Sequence, residues 1–146
     1  MISPPEDSSV PAEIRAGIEA DPWTRALGIQ ILALGRGFCR VGLTVQPHMV
    51  NFQGYPHGGV IFSLADTAFG AACNSHGKTA VALNMTISFL TAVPAGSRLV
   101  AEAREIKQGR QAGFYQVSVT SGKGVLVAQV HCVAHTVPPA AAPATE

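Results

Sequence analysis

The sequence contains few charged residues, only three cysteines and no long apolar run, and each shortage excludes a class of protein. Charged side chains make up 13% of the 146 residues, against roughly 25% in ordinary soluble domains. The net charge is +1 without a basic run, which argues against nucleic acid or an anionic membrane as a partner. No apolar stretch reaches the roughly 18 residues that cross a bilayer. The low charge also predicts that other subunits cover part of the surface.

The cysteines form no metal-binding pattern. Cys39, Cys73 and Cys132 are odd in number, widely spread and without metal-type pairing, so we interpret them as free thiols in a reducing cytoplasm. The acidic, proline-rich stretch at the start of the chain does not resemble a signal peptide. The sequence therefore predicts a cytoplasmic protein.

One domain accounts for most of the chain. Residues 1–11 are predicted to be a flexible lead-in and residues 138–146 a disordered tail, which leaves 12–137 as a single domain. The hydrophobic patterns predict a short helix over about 10–20, a long helix over about 60–74, and strands over 27–34, 38–45, 81–89, 98–107, 113–121 and 124–136. A long helix followed by antiparallel strands is typical of an α+β domain whose sheet surrounds the helix.

The long helix carries an acid at its centre. It is apolar nearly all round, so it is predicted to be buried, and a buried carboxylate at Asp66 must be hydrogen-bonded, paired or neutralised. The neighbours of Asp66 on the same helix face are small or polar: Gly59, Ser63, Gly70, Cys73 and Asn74. This stripe can line a narrow channel or a subunit contact. Asp66 is then either a satisfied core carboxylate or a functional acid.

The entrance of the helix carries His57-Gly58-Gly59. The first turn of a helix presents free N–H groups and a partial positive charge, and glycines let a ligand carbonyl or phosphate approach the backbone closely. Such amides can stabilise the oxyanion that forms when a thioester carbonyl is attacked. Taken alone, the two glycines favour an ordinary loop-to-helix turn.

Asp66 and Gly58 are too far apart to act together within one chain. Eight residues separate them, which is about 12 Å along a helix, whereas an oxyanion donor and a nucleophile or base both lie about 3 Å from one carbonyl. If both act in catalysis, two subunits must share each site, and a two-fold dimer then contains two such sites.

The stretch NFQGYPHGGVIFSLADTAFGAACNSHG resembles the signature of the PaaI-type hot-dog thioesterases of the phenylacetic acid degradation group. The similarity continues through ALNMTISFLTAVPAGSRLVAEA and KQGRQAGFYQVSV and covers roughly residues 22 to 136. The resemblance implies a hot-dog fold, in which an antiparallel sheet of five to six strands wraps around one long central helix. It also implies acyl-CoA thioesterase activity and homodimers that pair into homotetramers.

The same resemblance assigns roles to individual residues. Asp66 matches the family nucleophile or general base, Gly58 the residue whose amide polarises the thioester carbonyl, and Asn51 the residue that positions the attacking water or the carbonyl. His57 matches a histidine with an orienting or structural role. Substrate contacts are predicted for three further residues: Gly59, Thr67 and Arg110. Coenzyme A is part of the substrate, so no metal and no separate cofactor are expected.

Several residues depart from the family pattern or have an ordinary alternative. Ala82 stands where some relatives carry a hydroxyl on the strand after the helix. Arg110 lies at a turn where relatives bind nucleotide phosphates, but it can equally be a solvated turn charge. His131 and His135 face one side of a strand without a third metal ligand. Trp23 is predicted to pack the N-terminal helix.

The family context favours phenylacetyl-CoA or hydroxyphenylacetyl-CoA as the substrate. Two alternatives remain open. One is a hot-dog dehydratase or hydratase acting on a 3-hydroxyacyl or enoyl thioester, which needs a histidine and an acid placed to move an alpha proton. The other is a non-catalytic acyl-CoA-binding module, against which the joint presence of Asp66, Gly58 and Asn51 argues.

Overall fold

The long helix predicted at the centre of the chain is present and organises the rest of the fold. In a computed structural model, which describes residues 9–138, this helix runs over Gly58–Asn74, and we call it α3. It begins two residues earlier than predicted because the His57 ring caps its first turn: Nδ1 accepts a hydrogen bond from the Gly59 N–H at 2.9 Å. Beyond its end, Gly77 adopts a left-handed conformation with φ 85°, which glycine reaches without strain.

The strands form one antiparallel sheet beside α3. They are β1 (Gln30–Gly35), β2 (Phe38–Thr44), β3 (Ala80–Phe89), β4 (Arg98–Gln108), β5 (Ala112–Ser121) and β6 (Leu126–Thr136). Their order in the six-stranded sheet is β1-β2-β4-β5-β6-β3, with every pairing antiparallel. The α+β hot-dog prediction of five to six strands around one helix is confirmed. The order leaves β1 and β3 as edge strands.

The core lies between the sheet and one face of α3. The β2 residues Cys39, Val41 and Leu43 are at most 1% exposed. Phe38 and Gly42 on the other face of β2 are buried as well, so this strand does not alternate cleanly between buried and exposed residues. On the helix, Phe69 packs edge-on against Tyr115 of β5, with ring centroids 5.4 Å apart. Because residues from α3 and from β2, β4, β5 and β6 belong to one buried cluster, the helix is held firmly against the sheet.

The N-terminal region differs from the prediction. The first helix, α1, covers Ala12–Glu19, inside the predicted range, but a second helix, α2, covers Pro22–Leu27 where a strand was expected to begin. Asp21 caps α2 and Pro22 occupies its first position, a combination that favours a helix start. The strand predicted over 27–34 is present as β1, but it begins at Gln30, because α2 and the left-handed Gly28 after it occupy the preceding residues. A 3-10 turn at Pro47–Met49 was also missed.

The predicted terminal segments fall mostly outside the described residues. Positions 1–8 of the lead-in and 139–146 of the tail are not described. Near the end of the lead-in, Val10 is only 5% exposed and belongs to the core cluster, so the packed domain begins slightly before residue 12. No helix within residues 9–138 has the length and apolar character needed to cross a membrane.

Asn74 links the end of α3 to the start of β3. Its side-chain amide donates to the Ala80 carbonyl at 3.0 Å and to the Gly70 carbonyl at 2.9 Å, while its Oδ1 accepts from the Ala80 N–H at 2.9 Å. We expect Asn74→Ala to lower the free energy of unfolding by about 1–3 kcal/mol, because partly buried backbone groups lose their partners. Urea unfolding measures this. Gln116→Ala, at an exposed β5 position, should change stability by less than about 0.5 kcal/mol; equal effects would contradict the assigned role.

Candidate active site

One face of α3 is not covered by the sheet. The helix was predicted to be buried, but in the described chain Asp66 is exposed and Ser63, Thr67 and Gly70 are only partly buried. The sheet covers the opposite face, where Leu64, Ala65, Ala68, Phe69 and Ala72 are fully enclosed. The Asp66 face instead opens into a cavity, so the carboxylate does not need a partner inside the core.

This cavity, which we call the Asp66 cavity, has a volume of about 580 Å³. It lies between the helix pair α1–α2, the second half of α3 and the first residues of β3. Its lining consists of Glu13, Ile14, Gly17, Ile18, Asp21, Trp23, Thr24, Asp66, Thr67, Phe69, Gly70, Ala71, Cys73, Asn74, Ala80, Val81 and Ala82. Much of this wall is apolar or aromatic, which is typical of a small-molecule site with a few convergent polar groups.

The surroundings of Asp66 favour its protonated form. No hydrogen bond or ion pair to its carboxylate is formed within residues 9–138. Partial loss of solvent in the cavity raises its pKa above the ordinary value, and the negative charge of Asp21 raises it further. A carboxylate with a raised pKa is a stronger base, and an acid shifted by desolvation in a cavity is a candidate for chemistry.

The first turn of α3 offers one free backbone donor. The Gly59 N–H is already bonded to the His57 ring, so His57 acts as a cap and the Gly59 amide is not available to a ligand. The Gly58 N–H, at the first helical position, makes no hydrogen bond with another described residue. It therefore remains as the donor that can face a carbonyl oxygen, supported by the positive end of the helix dipole.

Asn51 lies beside Gly58 in a second pocket. This Gly58 pocket has a volume of about 330 Å³, and both residues line it together with Phe89 from the end of β3. The Asn51 Oδ1 accepts hydrogen bonds from the backbone N–H groups of Gln53 at 3.0 Å and Tyr55 at 3.1 Å. Because the loop occupies its oxygen, Asn51 presents its NH₂ group as a donor. It can hydrogen-bond a carbonyl oxygen or a water oxygen.

The described chain does not bring the two halves of the predicted site together. Asp66 lines one cavity, whereas Gly58 and Asn51 line another, and Asp66 lies eight positions beyond Gly58, which is about 12 Å along the helix. Thr67 lies with Asp66, and its hydroxyl donates to the Ser63 carbonyl at 2.8 Å. Each half-site therefore lacks the groups that the other one holds.

The sequence analysis missed the contribution of α2 to the Asp66 cavity. Trp23 was predicted to pack the N-terminal helix, and this is wrong: its side chain is 58% exposed and lines the cavity. The indole N–H donates to the Ser63 hydroxyl at 3.1 Å, and that hydroxyl donates to the Gly59 carbonyl at 2.8 Å. The signal that was available is the Asp21-Pro22 helix start, which places Trp23 in the first turn of α2.

The remaining candidate residues lie apart from the cavity. Arg110 is exposed in the turn between β4 and β5. Arg104 forms an ion pair with Glu102 at 2.7 Å, and its guanidinium stands 4.8 Å from the centroid of the Phe38 ring. Lys107 is exposed near the same turn. None of these three residues lines the cavities of Asp66 or Gly58.

The three cysteines are unreactive thiols, and the described residues form no metal-binding group. Burial raises the pKa of the Cys73 thiol to about 11 and those of Cys39 and Cys132 to about 12, so all three remain protonated at neutral pH and are poor nucleophiles. Within residues 9–138, no group of three His, Cys, Asp or Glu side chains is arranged to hold a metal ion. His131 and His135 thus gain no third ligand in this part of the chain.

Comparisons with known proteins agree with this geometry. A family model described as the thioesterase superfamily matches residues 53–128. The acyl-coenzyme A thioesterase PaaI of Escherichia coli is 42% identical over 119 residues, which cover 82% of this chain and 85% of the relative.

Solved structures show the same similarity. The structure of the E. coli PaaI protein from the phenylacetic acid degradation operon superimposes with a TM-score of 0.83 at 41% identity, covering 85% of this chain and 90% of that one. A hypothetical thioesterase of Streptococcus pneumoniae with coenzyme A superimposes with a TM-score of 0.72 at 26% identity, covering 75% of this chain and 85% of that one.

Proposed function

The chain belongs to the PaaI-type acyl-CoA thioesterases of the thioesterase superfamily, and from this premise we propose that it hydrolyses a small aryl acyl-CoA to the free acid and coenzyme A. Phenylacetyl-CoA and hydroxyphenylacetyl-CoA are the proposed substrates. The observation that carries the proposal is the unpaired Asp66 carboxylate at the wall of a cavity lined by Trp23 and Phe69. The E. coli relative from the phenylacetic acid degradation operon supports the aryl acyl group. No metal or cofactor is proposed beyond the coenzyme A of the substrate.

The proposed chemistry requires one carboxylate and one oxyanion donor. Asp66 either attacks the thioester carbonyl, giving a mixed anhydride that water then hydrolyses, or removes a proton from the water that attacks. In both routes the carbonyl oxygen becomes negative and accepts a hydrogen bond from the Gly58 N–H. The coenzyme A thiolate then leaves, and it needs little protonation. Asn51 donates from its NH₂ group to the carbonyl or to the water.

We propose that two subunits share each site through their β3 strands. β3 is an edge strand of ten residues that pairs only with β6, and its apolar side chains Val81, Leu83 and Phe89 are 48%, 66% and 55% exposed. A long apolar edge is a ready template for another strand. If two β3 strands pair antiparallel about a two-fold axis, the start of one lies beside the end of the other.

Such pairing is what the two half-sites require. The start of β3 lines the Asp66 cavity through Ala80–Ala82, and its end lines the Gly58 pocket through Phe89. Antiparallel β3 pairing therefore directs the Asp66 cavity of one protomer toward the Gly58 pocket of its partner. We further propose that these dimers pair into homotetramers, as the family resemblance implies, and that Arg110 contacts the phosphates of coenzyme A.

The first experiment is thiol release from a panel of aryl and aliphatic acyl-CoAs. We expect the highest kcat/KM for phenylacetyl-type esters. Absence of thiol release from every ester would refute the hydrolase, and ligand binding without turnover would then favour a binding module. Among residues 9–138 no histidine lines the Asp66 cavity, and His57, beside the Gly58 half-site, uses its Nδ1 to cap α3. This engagement of His57 as a helix cap disfavours a dehydratase.

The role of Asp66 can be determined by isotope labelling. In a single turnover in H₂¹⁸O, attack by Asp66 ends with water hydrolysing the anhydride, so ¹⁸O can enter the Asp66 side chain. If Asp66 only activates water, all of the ¹⁸O enters the acid product. ¹⁸O found by mass spectrometry in the peptide that contains Asp66 identifies the anhydride route, and an active-site titration fixes the number of turnovers.

The acid limb of the pH profile should respond to Asp21. Desolvation and the Asp21 charge both raise the pKa of Asp66, so removal of that charge lowers the pKa and the deprotonated, reactive carboxylate persists to lower pH. We expect Asp21→Asn to move the acid limb of kcat/KM to lower pH. Asparagine also caps helices, so α2 is retained. Glu19→Gln, on α1 but outside the cavity lining, is the control, and an acid limb that stays in place in Asp21→Asn would contradict the coupling.

A further inference from the structure

The Asp66 cavity contains negative charge without a balancing positive charge. Glu13 of α1, Asp21 at the start of α2 and Asp66 of α3 all line it, whereas no lysine, arginine or histidine among residues 9–138 does. The remaining lining residues are apolar, small or uncharged polar residues. The three carboxylates are exposed at the cavity wall, and an acyl group that enters the cavity therefore meets charges of one sign, each worth about 1 kcal/mol at a distance of about 4 Å even in water.

Asp21 is held at the wall of this cavity by its own helix. Its Oδ2 accepts hydrogen bonds from the Thr24 N–H at 2.9 Å and the Thr24 hydroxyl at 2.7 Å, and Thr24 is only 3% exposed. The neighbouring Trp23 bonds to Ser63 of α3, which anchors α2 against the central helix. The other Asp21 oxygen, Oδ1, makes no hydrogen bond with any residue between 9 and 138. It is a free acceptor on a fixed carboxylate.

We propose that Asp21 determines specificity by excluding acyl groups that carry a negative charge, so that the substrates are uncharged aryl acyl groups, including those with a ring hydroxyl. This inference rests on the proposed function and names the substrate class of that site. An acyl group ending in a carboxylate would face Asp21 and Glu13 with no cation to neutralise it. A hydroxyl group, by contrast, can donate a hydrogen bond to Asp21 Oδ1.

The test compares three acyl-CoAs of similar size: phenylacetyl-CoA, 4-hydroxyphenylacetyl-CoA and 4-carboxyphenylacetyl-CoA. We expect wild-type kcat/KM to be about thirtyfold lower for the carboxylated ester than for the other two, since two carboxylates oppose its charge. The ratio of kcat/KM for the neutral esters to kcat/KM for the carboxylated ester should fall by about tenfold in Asp21→Asn. Glu19→Gln removes one charge from the same region without touching the cavity lining, and it should leave the ratio as in wild type.

Two results would overturn the inference. One is wild-type enzyme that hydrolyses the carboxylated ester as well as the neutral ones. The other is a ratio of kcat/KM for neutral over carboxylated esters that is the same in Asp21→Asn as in wild type, or that falls equally in Glu19→Gln. Binding is measured in parallel by calorimetry with thioether analogues of the three esters, in which a methylene replaces the carbonyl. If no ester is hydrolysed, the proposed function fails, but the order of Kd values for the analogues still decides whether Asp21 excludes the charged acyl group.

Discussion

Replacement of Asp66 by asparagine is expected to lower kcat for phenylacetyl-type esters by about a hundredfold or more, because the reaction loses its nucleophile or general base. The asparagine side chain has nearly the same shape, so the cavity retains its size. Thiol release under saturating substrate measures the loss, and Asp66→Ala should give a loss of the same order.

Stability distinguishes this effect from misfolding. The Asp66 carboxylate is exposed to the cavity and forms no hydrogen bond or ion pair within residues 9–138, so its removal should change the free energy of unfolding by less than about 0.5 kcal/mol. Asp21→Asn removes a different carboxylate from the same cavity and should lose far less activity. An Asp66→Asn enzyme that retains most of its activity would disprove the catalytic role of Asp66, whatever its measured stability.

The second large effect is expected from Gly58→Pro, which removes one N–H group from the backbone. Gly58 is the first residue of α3, a position that accepts proline because its N–H has no partner inside the helix. The preceding His57 has φ −63° and ψ 136°, the extended conformation that a residue before proline prefers. The variant should therefore fold while losing about a hundredfold or more in kcat, the usual effect of deleting an oxyanion donor.

Gly58→Ala is the matched control because it keeps the N–H group. Its Cβ would lie 3.4 Å from the Phe89 ring, an ordinary contact. Its loss of activity should be much smaller than that of Gly58→Pro, and thermal unfolding should show similar Tm values for the two variants. Equal losses would mean that space near Gly58, and not the amide proton, is what the reaction requires.

Mixing the two inactive variants tests whether subunits share the site. When Asp66→Asn and Gly58→Pro chains are co-expressed and pair at random, about a quarter of the sites combine an intact Asp66 with an intact Gly58 from the partner. Activity should then rise from about one per cent to about a quarter of the wild-type value. If each chain contained a whole site, the mixture would be as inactive as its components.

Much of the fold follows from the hydrophobic pattern alone. The apolar run of α3 identifies the central helix, and the alternating apolar residues of β2 and β3 identify strands, because side chains return to the same face every 3.6 residues on a helix and every second residue on a strand. The spacing of Gly58 and Asp66 likewise implies a site that one chain cannot complete, since it depends only on the rise of a helix. The long motif around Asp66 identifies the family.

The tertiary structure decides what covers the other side of α3. A periodic pattern records which face packs on the sheet, but the Asp66 face is shaped by α1 and α2, whose residues lie about 40 positions earlier in the chain. The Trp23–Ser63 hydrogen bond that holds this wall and the Asp21 carboxylate beside Asp66 are long-range contacts. The sequence by itself determined the helix and the sheet, and it predicted the two half-sites. Only the packing of α1–α2 decided that Asp66 faces an open, negatively charged cavity and not the core, because no local pattern encodes contacts between distant elements.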